Sequence, residues 1–252
     1  MRLTFAVLLL TACHHKSQRA PDAGAAHPEV VLLASAAEAA DGTWARGCAR
    51  LMAHQIDQAS GRDYAMTALV VAATPRRVGW VLPSAPVTID QGTAAAKKYG
   101  AKRFARVHIY GPDPSVRNIL MDVIDLDGLK TIHSRAYPWN PHTDLPPLRS
   151  ATVDLAGALG LTVDSTRLLQ GAPFVETQNA QALEAFLGGL DNLTLAAIAR
   201  GRPLGPGYRL PKELFDEAAT ADPGFQTART LSAAGAGARF DRVLVSEIAL
   251  KE

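Results

Sequence analysis

The chain has 252 residues, of which 48% are hydrophobic and only 6% aromatic, and its 26 Lys and Arg nearly balance 24 Asp and Glu. The apolar content suffices for the core of one good-sized domain, or of a medium domain with a small companion. The charge balance leaves no basic stripe for nucleic acid and no charge block for a polyionic partner.

The chain opens Met1-Arg2-Leu3-Thr4-Phe5-Ala6-Val7-Leu8-Leu9-Leu10-Thr11-Ala12-Cys13. One positive charge precedes a short apolar run, and small residues precede a cysteine, which is the layout of a secretory signal. The run is far shorter than the roughly 20 residues of a spanning helix. No later segment approaches that length without charge, so the mature chain is not expected to cross a bilayer. The junction Leu10-Thr11-Ala12-Cys13 resembles the lipobox of bacterial lipoproteins. That resemblance implies removal of the signal peptide, residues 1–12, a thioether-linked diacylglycerol on Cys13 and a palmitate-type acyl group on its freed amine. A membrane is then the first partner, and anchoring by more than one chain is stable at about 0.8 kcal/mol per buried CH₂. His14 is not the aspartate that retains many lipoproteins in the inner membrane, so the expected location is the outer membrane, facing the periplasm. With Cys13 lipidated, Cys48 has no disulfide partner. It falls at helical spacing with Leu51, Met52 and Ile56 and reads as a small buried hydrophobe.

Residues 14–28 are polar and small, with two prolines and no periodicity, so 13–28 reads as a lipidated flexible tether. His14, His15 and His27 lack carboxylate or thiolate partners at a defined spacing, and no metal site is expected of them. Val30-Val31-Leu32-Leu33 predicts a buried strand, and residues 43–59 a helix closed by Ser60-Gly61. Strands follow over 64–72 and 77–82. Thr88-Ile89-Asp90-Gln91 reads as a capping box. The helix it opens carries Lys97 and Lys98 near its negative end and stops at Gly100. In 104–110, Ala105, Val107 and Ile109 alternate with larger polar or amphipathic residues, the period of a strand with one buried face. Residues 116–126 predict another strand, with Ile119, Met121 and Val123 on one face. Asp127-Gly128 is expected to supply the positive-φ pair of a tight hairpin, and 129–137 returns. Asp144 is expected to cap a helix lined by Leu145, Leu148, Thr152, Leu155 and Leu159 and closed by Gly160. Residues 238–252 read as a final helix. This order predicts an α/β (α+β) fold, a mixed sheet with helices packed on one face.

The stretches Tyr99-Gly100-Ala101, Val107-His108-Ile109-Tyr110-Gly111, Val123-Ile124-Asp125-Leu126-Asp127-Gly128, Leu159-Gly160-Leu161 and Asn179-Ala180-Gln181-Ala182-Leu183-Glu184-Ala185-Phe186-Leu187-Gly188-Gly189 occur in that order. Together they resemble the TolB-N-terminal-like α/β domain of penicillin-binding-protein activator and FlgO-type flagellar lipoproteins, which in many bacterial proteins precedes tetratricopeptide repeats. The resemblance covers about residues 29 to 230. It implies such a domain over 29–163 and a helical, tetratricopeptide-like extension over 175–252. Leu214-Phe215-Asp216-Glu217-Ala218-Ala219-Thr220-Ala221-Asp222-Pro223 has the phenylalanine, alanine and proline spacing of a second repeat helix. Gly201-Arg202-Pro203-Leu204-Gly205-Pro206-Gly207 widens the turn before it, and Pro211 replaces a small residue. About three repeats normally bury a continuous core, and only one to one and a half fit here. The extension is therefore expected to lean on the α/β domain. Members of this type are binding and scaffolding modules, which implies no catalytic residue and no cofactor.

The residues themselves offer little chemistry. There is no GxSxG elbow, HExxH helix or P-loop. Gly235-Ala236-Gly237 reads as a loop and His142-Thr143-Asp144 as a cap. Asp125-Leu126-Asp127-Gly128 lacks the ligand series of a calcium loop. One surface stands out: Arg106, His108 and Tyr110 share one strand face, and His133, Arg135 and Tyr137 share another. If both lie away from the helices, they form a candidate interface, because Arg and Tyr favour interfaces and His adds pH sensitivity. The expected function is a non-enzymatic envelope lipoprotein, a scaffold binding another envelope protein in an assembly or regulatory complex. Its rivals are a small-ligand-binding or enzymatic periplasmic domain with an unrecognised pocket, and a passive tether.

Overall fold

The computed structural model describes residues 27–73, 78–113, 116–140, 145–199, 203–205, 208–234 and 248–251. Strand β1 (Val30–Ala36) is buried at all seven positions, the signature of a strand covered on both faces. Helix α1 (Gly42–Ser60) leads from it to β2 (Ala65–Ala73), which lies parallel to β1. After β3 (Val78–Val81), helix α2 (Ile89–Tyr99) leads to β4 (Arg103–Asp113), parallel to β1 on its other side. Two crossovers of one hand that travel in opposite directions along a sheet must use opposite faces. Helix α2 accordingly packs over Val31, Leu33, Phe104 and Ile124, while α1, α3 (Pro146–Ala158) and α6 (Ala180–Ala199) cover the other face. The expectation of helices on one face only is thereby corrected.

From β4 the chain meanders antiparallel through β5 (Val116–Asp125) and β6 (Lys130–Trp139). Among the described residues the strand order is β3-β2-β1-β4-β5-β6, a mixed sheet accompanied by eight α-helices. Short helices α4 (Ser165–Leu168) and α5 (Pro173–Glu176) precede α6, and α7 (Pro211–Ala221) and α8 (Gln226–Ala234) follow it. The last element, β7 (Ile248–Lys251), is a strand parallel to β2, where a final helix was expected. Residues 238–247 and 252 of that expected helix lie outside the described residues.

One apolar core runs from β1 through α1, α3 and α6 to Leu231 of α8. Phe186 of α6 meets Phe215 of α7 and Phe225, with ring centroids 5.9 and 5.0 Å away. Helix α6 is long and apolar enough to cross a membrane by length and composition, yet 61% of that stretch is buried inside the fold. It is a core helix, in contact with α1, α7 and β3.

The local signals act as their chemistry dictates. Thr88 Oγ1 accepts from the Gln91 amide at 3.2 Å, and Gln91 Oε1 accepts from the Thr88 amide at 3.0 Å, completing the capping box. Gly61, Gly100 and Gly160 end their helices at φ near 70°. Asp144 lies outside the described residues; Leu145 holds the N-cap position of α3, without a side-chain bond.

Two local features carry predictions. The positive-φ pair of the β5–β6 hairpin is Gly128 (φ 73°) and Leu129 (φ 51°), not Asp127 and Gly128. The Asp127 amide is instead held by Asp125 Oδ1 at 2.9 Å, which shifts the turn by one residue. A left-handed leucine costs roughly 1–2 kcal/mol, and Asn tolerates the region. Leu129 is 52% exposed, so it has little packing to lose. Leu129→Asn should raise stability by about 1 kcal/mol in a urea titration. The second is Asp57 on α1, whose Oδ1 accepts from the Tyr64 and Ala65 amides at 2.8 and 2.6 Å. Burial pushes its carboxyl up to about 7, against the pull of those amides and with a small push from Asp63. The fold thus favours the neutral acid, a contribution complete below the unfolded value and lost as pH rises through the folded one. The thermal midpoint should fall between pH 4 and 7, and Asp57→Asn should flatten that slope.

Candidate functional site

The six residues expected to share a surface lie on opposite faces of the sheet. Arg106 pairs with Asp122, and Asp122 with Ser134, across β4, β5 and β6, so Arg106, His108 and Tyr110 sit on the α2 face. His133, Arg135 and Tyr137 pair with Val123, Met121 and Ile119, on the α3 face. A bulge at Ile132 sets that register. Each triplet shares a face, as expected, but no surface joins the two.

Both triplets are tied into the fold. Arg106 donates to Asp122 Oδ2 at 2.6 Å and to the Val87 carbonyl at 3.1 Å. Ser134 donates to the same carboxylate at 2.6 Å. His108 is 5% exposed, stacks on Tyr110 and lies 2.9 Å from Ser35 Oγ through Nδ1. Burial lowers its proton affinity, partly opposed by a hydrogen bond with the Ser35 backbone. Across the sheet, Tyr137 Oη donates to Asp154 at 2.7 Å, and Arg135, more than half exposed, pairs with the same carboxylate at 2.8 Å. Burial, reinforced by Asp154, raises the Tyr137 phenol. Cys48 is fully buried and its thiol is pushed up to about 12 by that burial, which makes it unreactive.

A different cluster, on the face covered by α1 and α6, was not read from sequence. Arg46 and Arg50, one turn apart on α1, converge on Asp191 of α6. Arg46 Nε donates to Oδ2 at 2.7 Å and Arg50 Nη1 approaches Oδ1 at 3.0 Å. The Trp80 ring of β3 lies over both guanidiniums, 4.9 and 5.2 Å from its centroid. All three ionised side chains are at least nine-tenths buried. Burial lowers the proton affinity of Arg50, which Asp191 restores in part and Arg46 opposes. Two guanidiniums share one carboxylate, so the cluster holds one positive charge in excess. The signal was present: an aspartate inside an otherwise apolar stretch of α6 is almost never buried unless paired.

Two hollows meet at Arg46. One, of about 290 Å³, lies between α2 and the carboxyl halves of β1 and β2, against Leu33, Ala68, Val70, Val87 and Ala95, with Lys98 at its rim. The other, of about 400 Å³, lies where β1 ends, against Ala36, Ala37, Trp80, Leu82 and Ser84. Because β2 and β4 flank β1 on opposite sides, this end of β1 is a topological switch point. Open α/β sheets place ligands outside the carboxyl ends of strands at such points.

No protein-family model matches the chain, and no curated protein matches it. The fold and the hollows define a mixed α/β domain with a basic cleft at the carboxyl end of its central strand.

Proposed function

We propose that the protein is a lipoprotein of the bacterial envelope, lipid-anchored through Cys13 in the outer membrane and facing the periplasm, whose α/β domain binds another envelope protein without catalysis. The observation that carries this reading is the run of Leu10, Thr11, Ala12 and Cys13 directly after a short apolar signal segment. Binding is favoured over catalysis by how the buried polar side chains are used. Arg117 engages Asp41, Arg106 and Ser134 engage Asp122, and Tyr137 engages Asp154, so these groups are spent on the fold. Among the described residues the nearest approach to a nucleophile and base, Ser35 with His108, is sealed at 0% and 5% exposure. The pair α6 and α7 is read as one tetratricopeptide-like unit, for which Gly189 gives the needed closeness: a Cβ there would stand 2.5 Å from the Phe215 ring. Fractionating cells that make the Cys13→Ser variant should move the protein from membrane to soluble fraction; retention in the membrane would overturn the anchor. Crosslinking in intact cells should give one dominant protein adduct, and its absence would overturn the scaffold reading.

A further inference from the structure

The basic cleft has the chemistry of a site for a small amphiphile. Arg46 is central to it. Its side chain is 9% exposed, and Nε and Nη2 are committed to Asp191, with Thr43 Oγ1 a long 3.5 Å from Nη2. Nη1 has no acceptor among the described residues, and Arg46 lines both hollows. Trp80 lines the second hollow, and its Nε1–H is buried without a partner. The Trp80 donor is sealed off, whereas the unpaired Arg46 Nη1 faces the hollows and can donate a charge-assisted hydrogen bond to a ligand there. Gly42, the first residue of α1, leaves the room for it: a Cβ there would stand 3.0 Å from Arg46 Nη1 and 3.3 Å from Leu82 Cδ2.

The charges point the same way. Asp191 is shared by Arg46 and Arg50, so among the described residues one of the two positive charges lacks a counter-ion. Among the described residues no carboxylate lines either hollow. Asp41, beside Gly42 in sequence, is held by Arg117 at 2.8 Å. An anion at Arg46 Nη1 would supply the missing charge, accept from that guanidinium and lie by the amino end of α1, whose dipole favours it. From that point the first hollow runs on under α2 between apolar walls. Its 290 Å³ is close to the lower end, about 300 Å³, of small-molecule sites.

We infer that this cleft binds a small molecule with one anionic head and an apolar tail, the head at Arg46 and the tail between α2 and the β1–β2 strands. A fatty carboxylate and a single-chain lipid phosphate share this chemistry. The site stands independently of the anchor and of any protein partner.

The test is calorimetric titration of the full chain, kept free of lipid by Cys13→Ser, with decanoate, dodecyl phosphate, decanol and inorganic phosphate. One of the two anionic amphiphiles, at least, should bind one to one and about tenfold tighter than decanol or inorganic phosphate, the scale of one charge-assisted hydrogen bond; which of them is tighter names the source of the head. Changing Arg46 itself risks the fold, so the decisive variants are Gly42→Ala and Ala95→Met. Gly42 already has helical φ and ψ of −60° and −41°, so alanine fits its backbone while crowding Nη1. It should weaken the anionic amphiphile about tenfold and leave decanol unchanged. Ala95→Met fills the apolar arm with a good helix former and should weaken the amphiphile and decanol alike. Equal affinity for decanol and both anions, an unchanged affinity in Gly42→Ala, inorganic phosphate binding as tightly as the amphiphiles, or no saturable binding of either anion would each overturn the inference.

Discussion

Asp191→Ala should destabilise the protein by about 3–5 kcal/mol, the cost of leaving buried charges without their partner. Two guanidiniums depend on this one carboxylate, and Arg50, with a side chain 1% exposed, cannot reach water. Its Nε and Nη2 already lack partners, so the loss of Asp191 leaves the group with no acceptor among the described residues. Total stabilities are about 5–15 kcal/mol, so the denaturant midpoint should drop sharply. The cluster joins α1, α6 and Trp80 of β3, and α6 should loosen first, visible as loss of amide protection along Ala180–Ala199. Replacing Arg46 and Arg50 with Met and Asp191 with Leu together should recover most of the loss, because a buried ion cluster exchanged for packed apolar groups is often neutral. If the single variant melts with the parent protein, the cluster is not a support of the fold.

Gly92→Ala should cost about 1–3 kcal/mol, although alanine favours a helix by roughly 1 kcal/mol over glycine. A Cβ at Gly92 would lie 2.2 to 2.7 Å from three atoms of the Phe104 ring. That ring is fully buried between α2 and the sheet and has nowhere to turn. Helix α2 must lift, and with it the wall of the apolar hollow. Adding Phe104→Leu should restore part of the loss, so the double variant lies well above the sum of the singles, as expected for residues in contact. A urea titration of the four proteins in the cycle measures this, and strict additivity would remove the contact as the cause.

Much of the fold was legible because its signals are local. Thr88 with Gln91, the glycines that close α1, α2 and α3, and the alternation of Ala105, Val107 and Ile109 each act within a few residues. What failed to show depends on partners far along the chain. The large residues of β4 read as a solvent-facing set, whereas Phe104 lies under α2, because nothing in a strand records which side the next crossover takes. The two Arg, His and Tyr triplets were each placed on a shared face correctly. Side chains alternate with period two, so pairing across β5 decides whether two such sets coincide or oppose. Arg46 and Arg50 look like the polar flank of an amphipathic helix until Asp191, 145 residues beyond Arg46, comes to meet them. The Asp127 turn shifted by one residue because the Asp125 side chain competes for its amide.

The direction of β1 also decides what the cleft can see. The chain reaches the domain at the amino end of this strand, and Arg46 and Trp80 gather at its carboxyl end. Seven residues at about 3.3 Å each separate the two ends by roughly 23 Å. On the proposed anchoring, a lipid on Cys13 would draw the amino end toward the bilayer. With that anchor the mouth of the cleft would face away from the surface to which the protein is tied. It would sample molecules in transit between membranes rather than those still seated in its own leaflet.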